Sequence, residues 1–301
     1  MRIAVHILST NTEPSSTNIK AMKDTFVAYS LSGTLIHDYD FFFYYGDHSY
    51  NHVYQQAENI YRINTNLKES IYNTFEKGIY TLKSTPGYDW YIRINISCFL
   101  NIKLLDKIID QLNEDTVYCN AINSYINDEN LYNDLYARGD FMIFSAKTRE
   151  GILHNSGKYI RCDEISENRI NVPHVDDTLF GLCIKDYFGP DYYKHLQSLK
   201  YNYIPYPSSE IRNFNPLAVS SRVKTNPPGV NYSGYSWADN EYRRFDAQKM
   251  YSISHLLKLT EYPETVKLED LYDNSRPTLF VQISNQAVDN IKRYLDMKYK
   301  T

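Results

Sequence analysis

Short apolar runs alternate with amphipathic stretches from residue 2 to residue 189, and that order leaves few folds open. RIAVHILS (2–9) is apolar at successive positions, as a strand buried on both faces must be. The polar loop TNTEPSSTN follows, where Ser16, Thr17 or Asn18 can cap a helix through IKAMKDTFVAYS. LIHDYDFFFYYGD (35–47) predicts a second strand, closing at Gly46-Asp47. In NLKESIYNTFEKGIYTLKS (66–84), Ile71, Phe75, Ile79 and Leu82 make a helical stripe, ended by Pro86-Gly87. YDWYIRI (88–94) predicts a strand, IKLLDKIIDQLN (102–113) an amphipathic helix and TVYCNAI (116–122) a strand. FMIFSAKTREGILHN (141–155) runs from strand to helix, and DDTLFGLCIKDYFG (176–189) is a helix ended by Gly189.

Strands that alternate with helices favour an α/β, Rossmann-like fold: a mainly parallel sheet with helices on both faces. Ligands of such sheets bind outside the carboxyl ends of the strands. The Ser9-Thr10 loop and the Asn95-Ile96-Ser97 patch both sit at such ends. From about residue 200 the texture changes. YNYIPYPSSEIRNFNPLAV and RVKTNPPGVNYSGYSWADN are rich in Pro, Gly, Asn, Ser and Tyr and read as long ordered loops. EYRRFDAQKMYSISHLLKL (241–259) returns to helix, and the tail holds a short strand, LFVQI, and a last helix. Residues 1–200 are therefore the expected core, and 201–301 an extension of the same domain carrying loops over a site.

The charge balance narrows the partners. A net charge of −4 argues against a general nucleic-acid binder but leaves room for a local basic groove, for which Arg222, Lys224, Arg243 and Arg244 are candidates. Cys98, Cys119, Cys162 and Cys183 form no CxxC pair, which makes a zinc site a poor fit and free thiols the natural reading. MRIAVHILST is too short in its apolar run for a signal peptide, and no stretch reaches about 18 uninterrupted apolar residues. A soluble, cytoplasmic protein without a membrane span is the expectation. The 30 tyrosines suit the walls of polar, carbohydrate-like pockets, though AT-rich codon usage produces the same excess.

No G-x-G-x-x-G, Walker loop, HExxH or GxSxG is present, which removes the commonest nucleotide, protease and esterase readings. Four other stretches occur in a telling order: a helix bearing Lys77; YDWYIRINISCFLN (88–101); YARGDFMIFSAK with Gly139; and VPHVDDTLFGLCI with Asp176 and Asp177. In that order they resemble the Fringe-like and beta-1,3-glycosyltransferase group of GT-A glycosyltransferases. Arg93 stands in that group's lysine place and Asn101 in its asparagine place. Gly139 is retained, Phe141 stands where a second glycine would be, and Asp177 and Gly181 are in register. The group's strand-end aspartate pair is absent. Asn95 and Ser97 occupy those places, so the metal-binding motif is degenerate.

The resemblance implies a GT-A-type fold and transfer of a sugar from a nucleotide-sugar donor to an acceptor hydroxyl, with inversion. It implies Asp177 as the base that takes the acceptor proton, with Asp176 on the acceptor side or capping the helix. Without the resemblance, an Asp at that place is an ordinary helix cap. Ser9, Thr10, Lys77, Arg93, Asn95, Ser97, Arg138 and Gly139 would line the donor, Ser9-Thr10 being otherwise a plain strand-to-loop turn; independently of the resemblance, the aromatic faces of Tyr235 and Trp237 suit an acceptor wall or a packed loop. Mn²⁺ or Mg²⁺ is the group's usual cofactor, but an amide and a hydroxyl are weak ligands for either. Arg93, Lys77, Arg138, Arg222 or Lys224 could neutralise the diphosphate instead. His195 gives no convincing metal ligand. Three readings follow: a transferase that replaced its metal, an inactive relative that binds nucleotide or carbohydrate, or a plain strand-terminal turn at Asn95–Ser97. The missing anchor and AT-biased style suggest a bacterial, phage or large-virus protein, acting in the host cytoplasm if viral. Acceptors consistent with that setting are a glycan, a glycoprotein or a hydroxymethylated DNA base. Salt-dependent DNA binding would mark the last.

Overall fold

The structure, a computed structural model, describes residues 1–11, 15–69, 73–120, 122–126, 134–137, 139–160, 175–205, 211–225, 240–273 and 280–282. Strand β1 (Arg2–Leu8) leads into helix α1 (Ser15–Met22), which runs on through a π-helical turn (Lys23–Val27) and Ala28–Ser30. Next come β2 (Asp38–Tyr45), the hairpin β3 (His52–Ala57) and β4 (Ile60–Asn64), and α2 (Thr74–Ser84). The chain then forms β5 (Trp90–Asn95), β6 (Cys98–Leu100), α3 (Ile102–Ile108), β7 (Val117–Cys119), β8 (Ile122–Ile126) and β9 (Asp134–Ala137). β10 (Phe141–Ser145), α4 (Ala146–Ser156) and α5 (Val175–Phe188) follow. The last elements are β11 (Leu196–Ser198), β12 (Tyr201–Tyr203), β13 (Ser220–Arg222), α6 (Asn240–Lys258) and β14 (Phe280–Gln282).

The main sheet has eight strands in the order β11-β7-β10-β5-β1-β2-β4-β3. β5, β1, β2 and β4 are mutually parallel, so their carboxyl ends share one edge. The two apolar faces of β1 explain its sequence. Ile3, Val5 and Ile7 join one core with Ile19, Met22 and Phe26 of the α1 segment, together with α3 and α6 residues. Ala4 joins the opposite core, with Phe75, Ile79 and Leu82 of α2, Ile152 of α4, and Leu179, Phe180 and Ile184 of α5. Each large side chain so buried contributes about 1.5–3 kcal/mol. The expected mainly parallel sheet with helices on both faces is what forms.

Several boundaries differ from the sequence expectation for identifiable reasons. The helix predicted over 66–84 begins at Thr74 among the described residues; 65–69 is a loop, tied to the loop after β2 by Asp47 N to Leu67 O at 2.8 Å and Glu69 N to Asp47 Oδ2 at 3.0 Å. The strand predicted over 116–122 divides into β7 and β8, which enter different sheets. The helix over 102–113 is α-helical only to Ile108 and tightens to a 3₁₀ turn over Ile109–Gln111. Gly189 ends α5 as expected, with φ +78. The region after 200 is not all loop: β13 pairs with β6, Arg222 opposite Cys98, which ties it to the core. The last helix expected, QAVDNIKRYLDMKYK (286–300), lies outside the described residues, as does Cys162. Cys98, Cys119 and Cys183 are buried and outside any disulfide.

β10 carries the fold's main functional consequence. It is antiparallel to β5, with Phe141 opposite Ile94. Its first residues therefore lie at the carboxyl end of β5, and Asn95 N donates to Asp140 O at 3.1 Å. The loops leaving β1 and β5 reach connections on opposite sides of β1 in the strand order, which makes the β1/β5 boundary the switch point of the sheet.

Candidate active site at the carboxyl edge of the sheet

Arg93 is the centre of this edge. It projects from β5, opposite His6 of β1 in register, and only 5% of it is exposed. Its guanidinium packs on the Phe180 ring at 4.9 Å. Nη1 donates to the Gly139 carbonyl at 2.6 Å and to Asp177 Oδ1 at 3.5 Å, while Nη2 donates to Asp176 Oδ2. Three of the four sequence stretches thus meet at one point. β5 supplies the cation, the start of β10 supplies a carbonyl, and the first turn of α5 supplies two carboxylates.

Gly139 is glycine because Asp177 occupies the space beside it. A Cβ there would lie 2.5 Å from Asp177 Cγ and closer still to Asp177 Oδ1 and Arg93 Nη1. Burial first, and the charge of Asp176 second, push the Asp177 carboxyl up to about 7, against the pull of Arg93. A carboxyl poised near neutral pH suits proton acceptance.

Asn95 and Ser97 form a local turn. Ser97 N and Ser97 Oγ each donate to Asn95 Oδ1 at 3.3 Å, and Val223 N donates to the Ser97 carbonyl at 2.9 Å. The amide oxygen is engaged by its own turn and both groups are neutral, so this pair does not fit a hard divalent cation. The carboxylates nearby are matched with arginines: Asp176 and Asp177 with Arg93, and Asp140 with Arg222 at 2.6 Å. Among the described residues no group of three or more His, Cys, Asp or Glu could hold a metal ion.

The other expected residues fall as follows. Ser9 is fully buried; its N donates to Tyr44 O and its Oγ to Ile7 O, both at 3.0 Å. Thr10 is buried in the same loop. Lys77 is 1% exposed and donates to Glu69 Oε1 at 3.0 Å, so its charge, like those of Arg93 and Arg222, already meets a carboxylate. Asn101 caps α3, with Oδ1 accepting from Leu104 N at 3.3 Å, and its amide holds Pro216 and Ala218 carbonyls. His6 is a core histidine bonded to Thr85 Oγ1 at 2.9 Å, and burial lowers it to about 3. His195 stacks on Phe188 and contacts the Asp115 carbonyl at 2.6 Å, before β7, at the opposite edge of the sheet. Arg138, Tyr235 and Trp237 lie outside the described residues, as do the side chains of Arg243 and Arg244.

Sequence reasoning passed over three participants. Glu69 falls inside the helix that the sequence predicts over 66–84. Asp140 follows Gly139 directly, but its partner Arg222 is 82 residues away. Tyr44 lies in the apolar run of β2, yet its hydroxyl is buried beside the Arg93 charge, and it lines a cavity of about 10 Å³ with Arg93, His6 and Phe180. That volume is close to what one water needs.

No family model matches the chain, and no curated protein does. Among solved structures it is similar to a glycosyltransferase involved in the glycosylation of the major capsid of PBCV-1, at 10% identity and TM-score 0.41, over 83% of this chain and 99% of that one. It is also similar to the glycosyltransferase GlyE of Streptococcus pneumoniae TIGR4, at 12% identity and TM-score 0.40, over 86% of this chain. The chain spans 65% of GlyE's length. At these scores neither likeness bears on what the site does.

Proposed function

We propose that the chain is a glycosyltransferase of the GT-A type that moves a sugar from a nucleotide-sugar donor to an acceptor hydroxyl, with inversion and without a metal at the strand end. One observation carries the reading: Arg93, Gly139, Asp176 and Asp177, from stretches far apart in sequence, meet beside Asn95–Ser97 at the carboxyl edge of the sheet. In the proposed step an acceptor oxygen attacks the anomeric carbon as its proton passes to Asp177. The bond from that carbon to the diphosphate oxygen breaks, and the electron pair leaves with the diphosphate. Preorganised positive charge at the leaving group is what such a step requires. Lys77 and Arg93 supply it, the phosphates taking the places of Glu69 and Asp176. Ser9, Thr10, Asn95, Ser97 and Gly139 line the donor side, with Arg138 beside Gly139 in sequence. Asp176, Tyr235 and Trp237 belong to the acceptor side. A glycan, a glycoprotein or a hydroxymethylated DNA base is the acceptor, and the reaction takes place in the cytoplasm.

The closure of Asp177 by Arg93 and Gly139 favours a second reading, a non-catalytic nucleotide- or carbohydrate-binding protein on the same scaffold. Donor turnover separates the two. Hydrolysis or transfer from a panel of nucleotide sugars should be detectable in the wild type and fall about 10²–10⁴-fold in Asp177→Asn with donor binding retained. Donor binding with no turnover in either protein would leave the binding reading standing. Turnover unchanged in Asp177→Asn would remove Asp177 as the base.

A further inference from the structure

A second guanidinium lies at the carboxyl edge, and its surroundings differ from those of Arg93. Arg62 on β4 stands opposite Phe43 of β2, on the face covered by α1. Its guanidinium sits 3.9 Å over the Tyr45 ring. Nε donates to Asn64 Oδ1 at 2.7 Å, and Nη2 donates to Asn11 Oδ1 at 3.2 Å and lies 3.4 Å from His48 Nε2. The loop after β1, the loop after β2 and the end of β4 therefore converge on one cation. Every one of these partners is neutral: burial, then the charge of Arg62 itself, holds His48 below its ordinary range.

Lys23, in the π-helical turn, repeats the pattern beside it. Its Nζ lies 4.8 Å over the Phe43 ring and donates to Gln56 Oε1 at 3.4 Å. Burial and then Arg62 lower its pKa, so the two cations feel one another. The nearby carboxylates have other partners. Glu69 accepts from Lys77 and from Gly46 N, and Asp47 accepts from Glu69 N. Among the described residues, Arg93, Lys77, Arg222 and Arg2 each pair with a carboxylate, whereas Arg62 and Lys23 do not. Two adjacent cations outside any ion pair, in a chain of net charge −4, make a positive ledge, with Asp47 and Glu69 acting on His48 from beside it. Its rigidity matters too. A guanidinium held over an aromatic ring and fixed through Nε and Nη2 presents Nη1 as a preset donor for an oxyanion.

We propose that Arg62, backed by Lys23 and framed by Asn11, Asn64 and His48, is a binding site for a phosphate group, separate from the Arg93 cluster. The separation follows from the sheet. β2 and β1 stand between β4 and β5, and Arg93 packs on Phe180 on the opposite face. The site does not depend on the transferase reading. Its phosphate comes either from a free nucleotide or from the phosphodiester of a nucleic-acid strand, and competition tells them apart.

The test is calorimetric titration with inorganic pyrophosphate of the wild type, Arg62→Gln, Arg62→Lys and Lys23→Gln, with Lys147→Gln as a control for loss of an exposed charge. Circular dichroism checks that each variant is folded. Wild type should bind. Arg62→Gln should lose one binding component or weaken it about tenfold, any binding that remains belonging to Lys77 and Arg93; Arg62→Lys should restore only part of that component, and Lys23→Gln should weaken it less. Displacement of pyrophosphate by UDP or GDP but not by a short oligonucleotide assigns the phosphate to a nucleotide, and the reverse assigns it to a strand. No pyrophosphate binding by the wild type would overturn the proposal. So would equal binding by Arg62→Gln, or an equal loss in Lys147→Gln. Loss of transfer activity with pyrophosphate binding intact in Asp177→Asn would instead concern the Arg93 site.

Discussion

Replacing Gly139 by Ala tests whether the meeting of β5, β10 and α5 is as tight as described. The new Cβ would stand 2.5 Å from Asp177 Cγ, so the carboxylate must retreat by at least about 1 Å to reach van der Waals distance. The Arg93 Nη1 to Asp177 Oδ1 separation is already 3.5 Å, and a further retreat breaks it. Breaking a buried pair by one-sided disruption costs about 3–5 kcal/mol, and overpacking alone costs about 1–3 kcal/mol. The expected destabilisation is about 3 kcal/mol or more, read from urea unfolding followed by circular dichroism. Gly157→Ala is the control: nothing lies within 4 Å of its added Cβ and its φ is −56, so it should be neutral or slightly stabilising. Repeating Gly139→Ala in an Asp177→Ala background removes the nearest obstacle and should reduce its cost by at least about 1 kcal/mol, as for residues in contact. An equal cost in both backgrounds, or a cost below about 1 kcal/mol in the wild type, would refute the geometry.

Three further outcomes follow from buried charge. Asp177 has a folded value near 7, above its ordinary 3.8, so its contribution is full below about pH 4 and is lost as pH rises through 7. Wild type should lose up to about 1.4 kcal/mol per pH unit across that window relative to Asp177→Asn, measured by chemical denaturation at stepped pH. His6 has the opposite sign. Its folded value of about 3 means that stability is full above pH 6.5 and falls as the unfolded chain takes up a proton, so His6→Gln should flatten the acid limb between pH 6.5 and 3. Arg222→Met takes the guanidinium from buried Asp140 and should cost about 3–5 kcal/mol, much of it regained in Asp140→Leu/Arg222→Met; a double variant no better than the single would contradict the pairing.

What the sequence revealed divides along physical lines. β1, β2 and β5 were legible because strands covered on both faces are apolar at most positions. The hairpin β3–β4 was not, since β3 is an edge strand whose HVYQQA is mostly exposed and carries no buried stripe. The direction of β10 is also invisible locally, because a strand's side chains alternate the same way whichever way it runs. That direction is what brings Gly139 to the end of β5. Arg93, Gly139, Asp176 and Asp177 were singled out by their order, but their mutual contact is long-range: Asp177 stands 84 residues from Arg93. The pairing of Lys77 with Glu69 was hidden by a helical stripe extended too far toward the N-terminus. Arg62 gave no signal, because its character lies in neutral partners drawn from two separate loops and the end of its own strand.

The most direct test of the central claim is a thermal-shift screen of the purified protein with UDP-, GDP-, CMP- and dTDP-sugars, each with Mn²⁺ and with EDTA. A ligand that binds only the native state raises the unfolding midpoint. A shift with one class of nucleotide sugar, the same in EDTA as in Mn²⁺, is the expected result. No shift with any donor, or a shift that requires Mn²⁺, would contradict that claim.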